Sequence, residues 1–151
     1  MSSCSLRGVV LGAGTPKVIV PLTATTLPAL LTQADSVIAA APDVVEWRFD
    51  FLENALQADE LVAAGKALRS RLAETPLLAT FRTADEGGEQ VVAPEAYAAL
   101  YEALIAAGVP DAVDVEIFRD EAVVDRIIAA AHAADVIVIA SNHEFGHTPA
   151  A

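Results

Sequence analysis

Strand-like and helix-like segments alternate without a break along this chain, and that order restricts the fold more than any other feature. Short β-rich runs occur at Val18–Leu22 (VIVPL), Val44–Phe51 (VVEWRFDF), Leu77–Thr83 (LLATFRT), Ala112–Phe118 (AVDVEIF) and Asp135–Ser141 (DVIVIAS). Alanine- and leucine-rich stretches of helical length fill the gaps, at Leu27–Ala41, Ala58–Ala73, Pro94–Ala107 and Glu121–Ala134. Pro28 and Pro94 stand near helix starts, where a missing N–H costs little. Gly108 follows the third helix in C-cap position, and Pro110 stops any continuation. Ahead of the first strand, Leu6–Leu11 and Gly12-Ala13-Gly14 read as a strand and a glycine turn, compatible with a short hairpin. Repeated βα units of this length predict an α/β fold, a parallel sheet with helices packed against it. With 151 residues and no linker or low-complexity tract, residues 1–151 are read as a single domain.

Two architectures share this alternation: an open doubly wound sheet and the first part of an eight-stranded barrel, which needs about 250 residues. The strand faces favour the barrel. Central strands of a doubly wound sheet are covered on both sides and tend to be apolar throughout. Here side chains alternate. Glu46, Arg48 and Asp50 oppose Val45, Trp47 and Phe49; Thr80 and Arg82 oppose Ala79 and Phe81; Asp114 and Glu116 oppose Val113, Val115 and Ile117. Ser141 and His143 share a face at the end of the fifth run. One face suits helices, while the other turns polar toward the C-terminal strand ends, where a barrel carries its active site. The fifth run leads into Asn142-His143-Glu144-Phe145-Gly146-His147-Thr148-Pro149 with no helix after it. The reading is a (β/α)8 TIM barrel represented by about its first five βα units.

Charge bears on partners. A formal net charge of −12 and a pI near 4.4 repel nucleic acid and anionic membranes, so an anionic ligand must be held by a few placed cations. The single cysteine, Cys4, allows no internal disulfide and no cysteine-rich metal site. Met1 to Gly14 lacks the apolar block of a secretory signal. No apolar run reaches the roughly 18 residues of a membrane span. The expectation is a soluble, cytoplasmic protein.

The polar face sets Glu46, Asp50, Asp114 and Glu116 against Arg48 and Arg82. Buried acids need cations or hydrogen bonds, so the set looks short of positive charge, and further cations are expected from strands beyond this chain. The alternative makes Asp50 and Asp114 ordinary solvent-facing acids at strand ends. His143 is the candidate for proton transfer, because imidazole titrates near neutrality and its neighbours on adjacent strand ends are arginines and carboxylates. His132 falls within the fourth helix, and His147 reads as an exposed loop residue. His143-Glu144-Phe145-Gly146-His147 matches H-E-x-x-H, yet that zinc motif requires a helix. Here it follows a β-rich run, contains Gly146 and meets Pro149, so no metal is expected. Gly12-Ala13-Gly14 lacks the third glycine of a dinucleotide loop and reads as a turn. Glu86-Gly87-Gly88-Glu89 follows the third strand, where loops reach over a barrel's active face, and Glu86 stands nearest Arg82.

Glu46-Trp47-Arg48-x-Asp50, Phe81-Arg82-Thr83 with Glu86-Gly87-Gly88-Glu89, Asp114-x-Glu116, and Ser141-Asn142-His143-Glu144-Phe145 with Thr148-Pro149 together resemble type I 3-dehydroquinate dehydratase. Pro16-Lys17-Val18-Ile19-Val20 fits that family's first strand. The resemblance implies an eight-stranded α/β barrel, a homodimer in the complete enzyme, and a place in the shikimate pathway. It also implies conversion of 3-dehydroquinate to 3-dehydroshikimate without metal or organic cofactor. A lysine forms a Schiff base with the substrate ketone. A histidine, matched by His143, removes the adjacent proton and helps expel water. Glu86 matches the carboxylate that orients that histidine, and Glu46, Arg48 and Arg82 match residues that hold the substrate. One departure stands out. The family's lysine lies on the strand after the histidine's strand, and this chain has only Lys17 and Lys66. Lys17 opens the first strand at the wrong end, and Lys66 falls within the second helix. The expectation is a fragment without activity of its own. Two rival readings remain at this stage: a non-catalytic small-molecule binding module, and an open α/β interaction domain.

Overall fold

The computed structural model describes residues 3–148; Met1 and Pro149 of the sequence reading lie outside the described residues. The chain opens with an antiparallel hairpin, β1 (Cys4–Leu6) and β2 (Val9–Leu11). The single strand expected over Leu6–Leu11 is therefore broken. The turn is at Arg7-Gly8, both with positive φ (42° and 84°), the two-residue geometry whose twist matches paired strands.

Five βα-type strands follow: β3 (Ile19–Leu22), β4 (Val44–Arg48), β5 (Leu77–Thr80), β6 (Ala112–Glu116) and β7 (Ile137–Ser141). The helices between them are α1 (Leu27–Ala39), α2 (Ala58–Leu72), α3 (Pro94–Ala106) and α4 (Glu121–Ala133). Thr26 caps α1 by accepting the Ala29 N–H, and Asp120 caps α4 by accepting the Val123 N–H. The sheet is parallel and its order is β3-β4-β5-β6-β7, each strand beside its predecessor. A doubly wound sheet reverses direction at a switch point; this one never does. Successive helices also pack on one another, α1 on α2, α2 on α3 and α3 on α4. A sheet with all its helices in one layer is a segment of barrel wall.

All five strands are shorter than the sequence runs suggest: β3 and β7 begin later, at Ile19 and Ile137, and the other three end earlier. β4 ends at Arg48 and passes into a 3₁₀ turn at Phe49–Phe51, β5 ends at Thr80, and β6 ends at Glu116. Phe118, expected in the strand, is 75% exposed. In β5 the alternation continues past the last ladder pair, with Phe81 buried in the outer core and Arg82 on the inner side, whereas in β6 it ends at Glu116: Ile117, expected on the apolar face, is 40% exposed.

The outer face carries the main core. Val45, Trp47, Ala79, Val113 and Val115 pack with Leu30, Leu61, Leu68, Leu104 and Ile127 of the helices. The inner face begins with an apolar floor of Val44, Leu78 and Ala112, on which the hairpin's Leu6 is buried. The hairpin thus closes the N-terminal end of the wall. Asp111 ties it down, accepting from Arg7 Nε (2.6 Å), Arg69 Nη1 (2.9 Å) and the Leu77 N–H (2.8 Å). Burial lowers the Arg69 pKa in spite of Asp111, so this guanidinium leans on its partner. Asp111→Ala is expected to destabilise the chain by about 1–3 kcal/mol, the cost of leaving the part-buried Arg69 and Leu77 donors unpaired. A urea midpoint unchanged from wild type would show that the clamp contributes nothing.

Candidate active site

Above the apolar floor the inner face becomes ionic, for a reason visible strand by strand. Inward positions recur every second residue: Val44, Glu46 and Arg48 on β4, Leu78 and Thr80 on β5, Ala112, Asp114 and Glu116 on β6. Register aligns Arg48 with Thr80 and Thr80 with Asp114, and Glu116 with Ser141. The same alternation that builds the outer core therefore delivers charge to the C-terminal end of the wall.

Arg82 lies at the centre. Its Nη2 donates to Asp114 Oδ1 (2.8 Å), and its Nη1 to Glu116 Oε1 (3.1 Å) and Ser141 Oγ (3.0 Å). Nη1 also stands 3.6 Å from Glu86 Oε2. Burial works against the Arg82 charge, but Asp114 and Glu116 outweigh it and the pKa is raised. Arg48 forms a two-point pair with Asp50, Nε and Nη2 each at 2.8 Å, and that hydrogen bonding raises its pKa further. Asp50 also accepts the Arg82 and Glu89 N–H groups. With Asp50 fully buried and Asp114 only 7% exposed, the solvent-facing alternative for these acids is overturned. Both are satisfied members of the site. Glu46 is half-buried and has no side-chain hydrogen bond among the described residues.

The expected shortage of positive charge is met in part from within the chain, by Arg119. It follows β6, donates through Nη1 to Thr83 Oγ1 (3.1 Å) and Glu116 Oε2 (3.3 Å), and lies 5.0 Å over the Tyr97 ring. Sequence reasoning passed over it. Its place just beyond an inward Glu116 was the available signal.

Two tyrosines from α3 hold the strand ends where the ladder stops. Tyr101 accepts the Phe81 N–H (2.8 Å) and donates to the Asp114 carbonyl (2.7 Å), bridging β5 and β6 just past their last pair. Tyr97 accepts the Glu116 N–H (3.1 Å). Burial pushes the Tyr97 hydroxyl up to about 12 and that of Tyr101 well above its ordinary value, so both stay neutral where the site would work. Nothing in the sequence marks them, since both read as ordinary helix residues.

Beyond the strand ends, Glu86 and His143 meet. Glu86 Oε2 stands 2.9 Å from His143 Nδ1 and 2.9 Å from the His143 backbone N–H. A carboxylate only accepts, so in the neutral imidazole this contact puts the hydrogen on Nδ1 and leaves Nε2 its lone pair. Glu86 sits in a 3₁₀ turn, Ala84–Glu86, closed by Gly87 at φ 83°. Gly88 is required there, because a Cβ would lie 1.8 Å from the Arg82 carbonyl oxygen. The loop returns through Ala84 N–H to Gln90 O (2.9 Å), and Gln90 Nε2 donates to Asp50 O (2.7 Å) and Leu52 O (3.0 Å).

All five residues singled out from the sequence, Glu46, Arg48, Arg82, Glu86 and His143, stand at this end of the wall. His132 and His147 are exposed. The segment His143 to His147 is not helical, and no group of three or more metal-ligating side chains gathers among the described residues. Lys17 precedes β3 at the opposite end of the strands, and Lys66 is exposed on α2.

Known proteins share this chain's sequence and fold. A family model described as type I 3-dehydroquinase matches residues 18–151. The 3-dehydroquinate dehydratase of Lactiplantibacillus plantarum is 46% identical over 145 residues, covering 96% of this chain and 58% of that protein. An Escherichia coli 3-dehydroquinate dehydratase is 42% identical over 151 residues, all of this chain and 60% of its own length. Among solved structures, the type I 3-dehydroquinate dehydratase of Clostridium difficile, crystallised with covalently modified comenic acid, superposes with a TM-score of 0.94 at 34% identity. That match covers 98% of this chain and 58% of the other. The chain spans about three fifths of the length of the relatives it matches, as a partial barrel does. On sequence and fold alike, this chain belongs to the type I 3-dehydroquinase family.

Proposed function

We propose that this chain supplies the substrate-gripping and proton-transfer part of an enzyme that dehydrates 3-dehydroquinate to 3-dehydroshikimate through a Schiff base. The Glu86–His143 pair beside Arg82 is the observation that carries the reading. Nε2 of His143 takes the proton next to the imine carbon, while Glu86 holds the ring through Nδ1 and stabilises the imidazolium that forms. The same imidazolium then returns the proton to the departing hydroxyl, which leaves as water. Arg48 and Arg82 hold the substrate's carboxylate and hydroxyl oxygens through forked N–H donors. Glu46, with acceptor capacity to spare, takes a substrate hydroxyl. The electron sink is an iminium on a lysine, and this route calls on no metal or organic cofactor. Lys17 precedes β3 and Lys66 is exposed on α2, away from the C-terminal strand ends, so the proposal takes its lysine from outside these 151 residues. No helix among the described residues is long and apolar enough to cross a membrane. The proposal places the complete enzyme in the cytoplasm as a homodimer.

Incubation of the 151-residue chain with 3-dehydroquinate and borohydride is expected to leave an intact mass of 15.7 kDa with no adduct and no turnover. A single reduced adduct, or product formation by the pure chain, overturns the lysine assignment. NMR titration with 3-dehydroquinate is expected to move His143 ring and Arg82 side-chain signals. Signals that stay still at saturating ligand overturn the substrate assignment.

A further inference from the structure

Glu116 is fully buried and faces no solvent from which a substrate would come, yet it collects four donors. Oε1 accepts from Arg82 Nη1 (3.1 Å) and the Thr83 N–H (2.9 Å); Oε2 accepts from Thr83 Oγ1 (2.8 Å) and Arg119 Nη1 (3.3 Å). A buried carboxylate of this kind costs too much to keep unless its lone pairs are filled, and here they are filled by three residues from two segments, Arg82 and Thr83 after β5 and Arg119 after β6. The contacts lead in two directions. One runs to the Arg82 guanidinium, which is held between Glu116 and Asp114. The other runs to Thr83, whose carbonyl accepts the Glu86 N–H (3.0 Å) and the Gly88 N–H (2.8 Å). That carbonyl therefore anchors the turn that carries Glu86 to His143.

We infer that Glu116 is a positioning residue which, with Arg119 as its counter-charge, sets both the Arg82 guanidinium and the Glu86–His143 pair. The inference rests on the proposed role of that pair. Fixing Thr83 at its N–H and its hydroxyl leaves the Ala84–Glu86 turn one arrangement, so the carboxylate oxygen of Glu86 meets Nδ1 and not Nε2. Arg119 neutralises the outer oxygen of Glu116 and bridges to Thr83. Without it, Arg82 alone would face Asp114 and Glu116 and would be drawn away from a ligand.

The tautomer of neutral His143 reads this directly, because free imidazole favours hydrogen on Nε2 and a carboxylate at Nδ1 reverses the preference. Glu116→Gln keeps the shape but puts an amide NH₂ against either Arg82 and the Thr83 N–H or the Arg119 guanidinium, so at least one contact is lost whichever way it turns. In 15N spectra of ring-labelled chain, wild type is expected to show His143 mainly with hydrogen on Nδ1. Glu86→Gln, the reference variant, is expected to return it to Nε2. Glu116→Gln is expected to cut the Nδ1–H share by about twofold or more, with exposed His132 and His147 unmoved as internal controls. Thr83→Val, which leaves the carboxylate intact, is expected to act in the same direction, and Thr83→Ser to retain the wild-type state. If Glu86→Gln leaves the tautomer unchanged, the reading of the pair itself fails. If Glu86→Gln changes it while Thr83→Val, or a folded Glu116→Gln, does not, the pair stands and the role of Glu116 is overturned.

Discussion

Replacing Arg82 with Met is expected to destabilise the chain by about 3–5 kcal/mol, the range seen when one partner of a buried ion pair is removed. Methionine fills much of the same volume, so the loss comes from the groups left behind. Asp114 would keep only the hydroxyl of Ser141 (2.6 Å) as a side-chain partner, and Glu116 would keep Thr83 and the more distant Arg119. Urea unfolding followed by the fluorescence of Trp47, the only tryptophan, reads the effect. The double variant Arg82→Met with Asp114→Asn is expected to lose less than the sum of the single changes, because the second removes the charge that the first stranded. Additive losses would show that the pair is not coupled and that Arg82 stabilises through packing alone. Typical domains have only about 5–15 kcal/mol in hand, so keeping this ionic cluster exposes a large part of the stability to one side chain.

Phe49→Ala is expected to cost a similar amount, about 3–5 kcal/mol, the usual range for emptying a buried aromatic site. Phe49 is fully buried in the 3₁₀ turn after β4, with ring centroids 5.6 Å from Trp47, 5.3 Å from Phe81 and 5.4 Å from Tyr101. The last two contacts are edge-on, an arrangement that adds to burial alone. This aromatic group sits directly behind the site. Phe49 precedes Asp50, and Tyr101 bridges Phe81 to Asp114, so a cavity here loosens the seat of Asp50 as well as the core. Phe49→Leu, which keeps most of the volume, is expected to lose less than half as much. A loss under about 1 kcal/mol for the alanine variant would mean that the neighbours collapse into the space, and that the aromatic group is not what holds the turn.

Much of this molecule was written in the order of its residues. Strict βα alternation and period-two side-chain patterning required a parallel sheet with one apolar and one polar face, because backbone geometry sends neighbouring side chains to opposite sides. The barrel sense of that sheet was legible too, since Glu46, Arg48, Arg82, Asp114 and Glu116 gather at C-terminal strand ends. What the pattern left open was decided by contacts between residues far apart in the chain. β4 ends at Arg48 in a 3₁₀ turn, and where β5 and β6 stop pairing, Tyr101 and Tyr97 take the bonds at Phe81, Asp114 and Glu116. Asp50 has a local partner in Arg48, two residues away, but the Arg82 and Glu89 N–H groups that complete it, and the Arg82 guanidinium that holds Asp114, lie more than thirty residues off. Arg119 joins the site through a loop that spacing alone cannot aim. The meeting of Glu86 with His143, 57 residues later, exists only after the wall has formed. Periodicity is a local property and fixes the face on which a side chain lies; the identity of its partner is a long-range property, fixed by how strands are stacked and where they part.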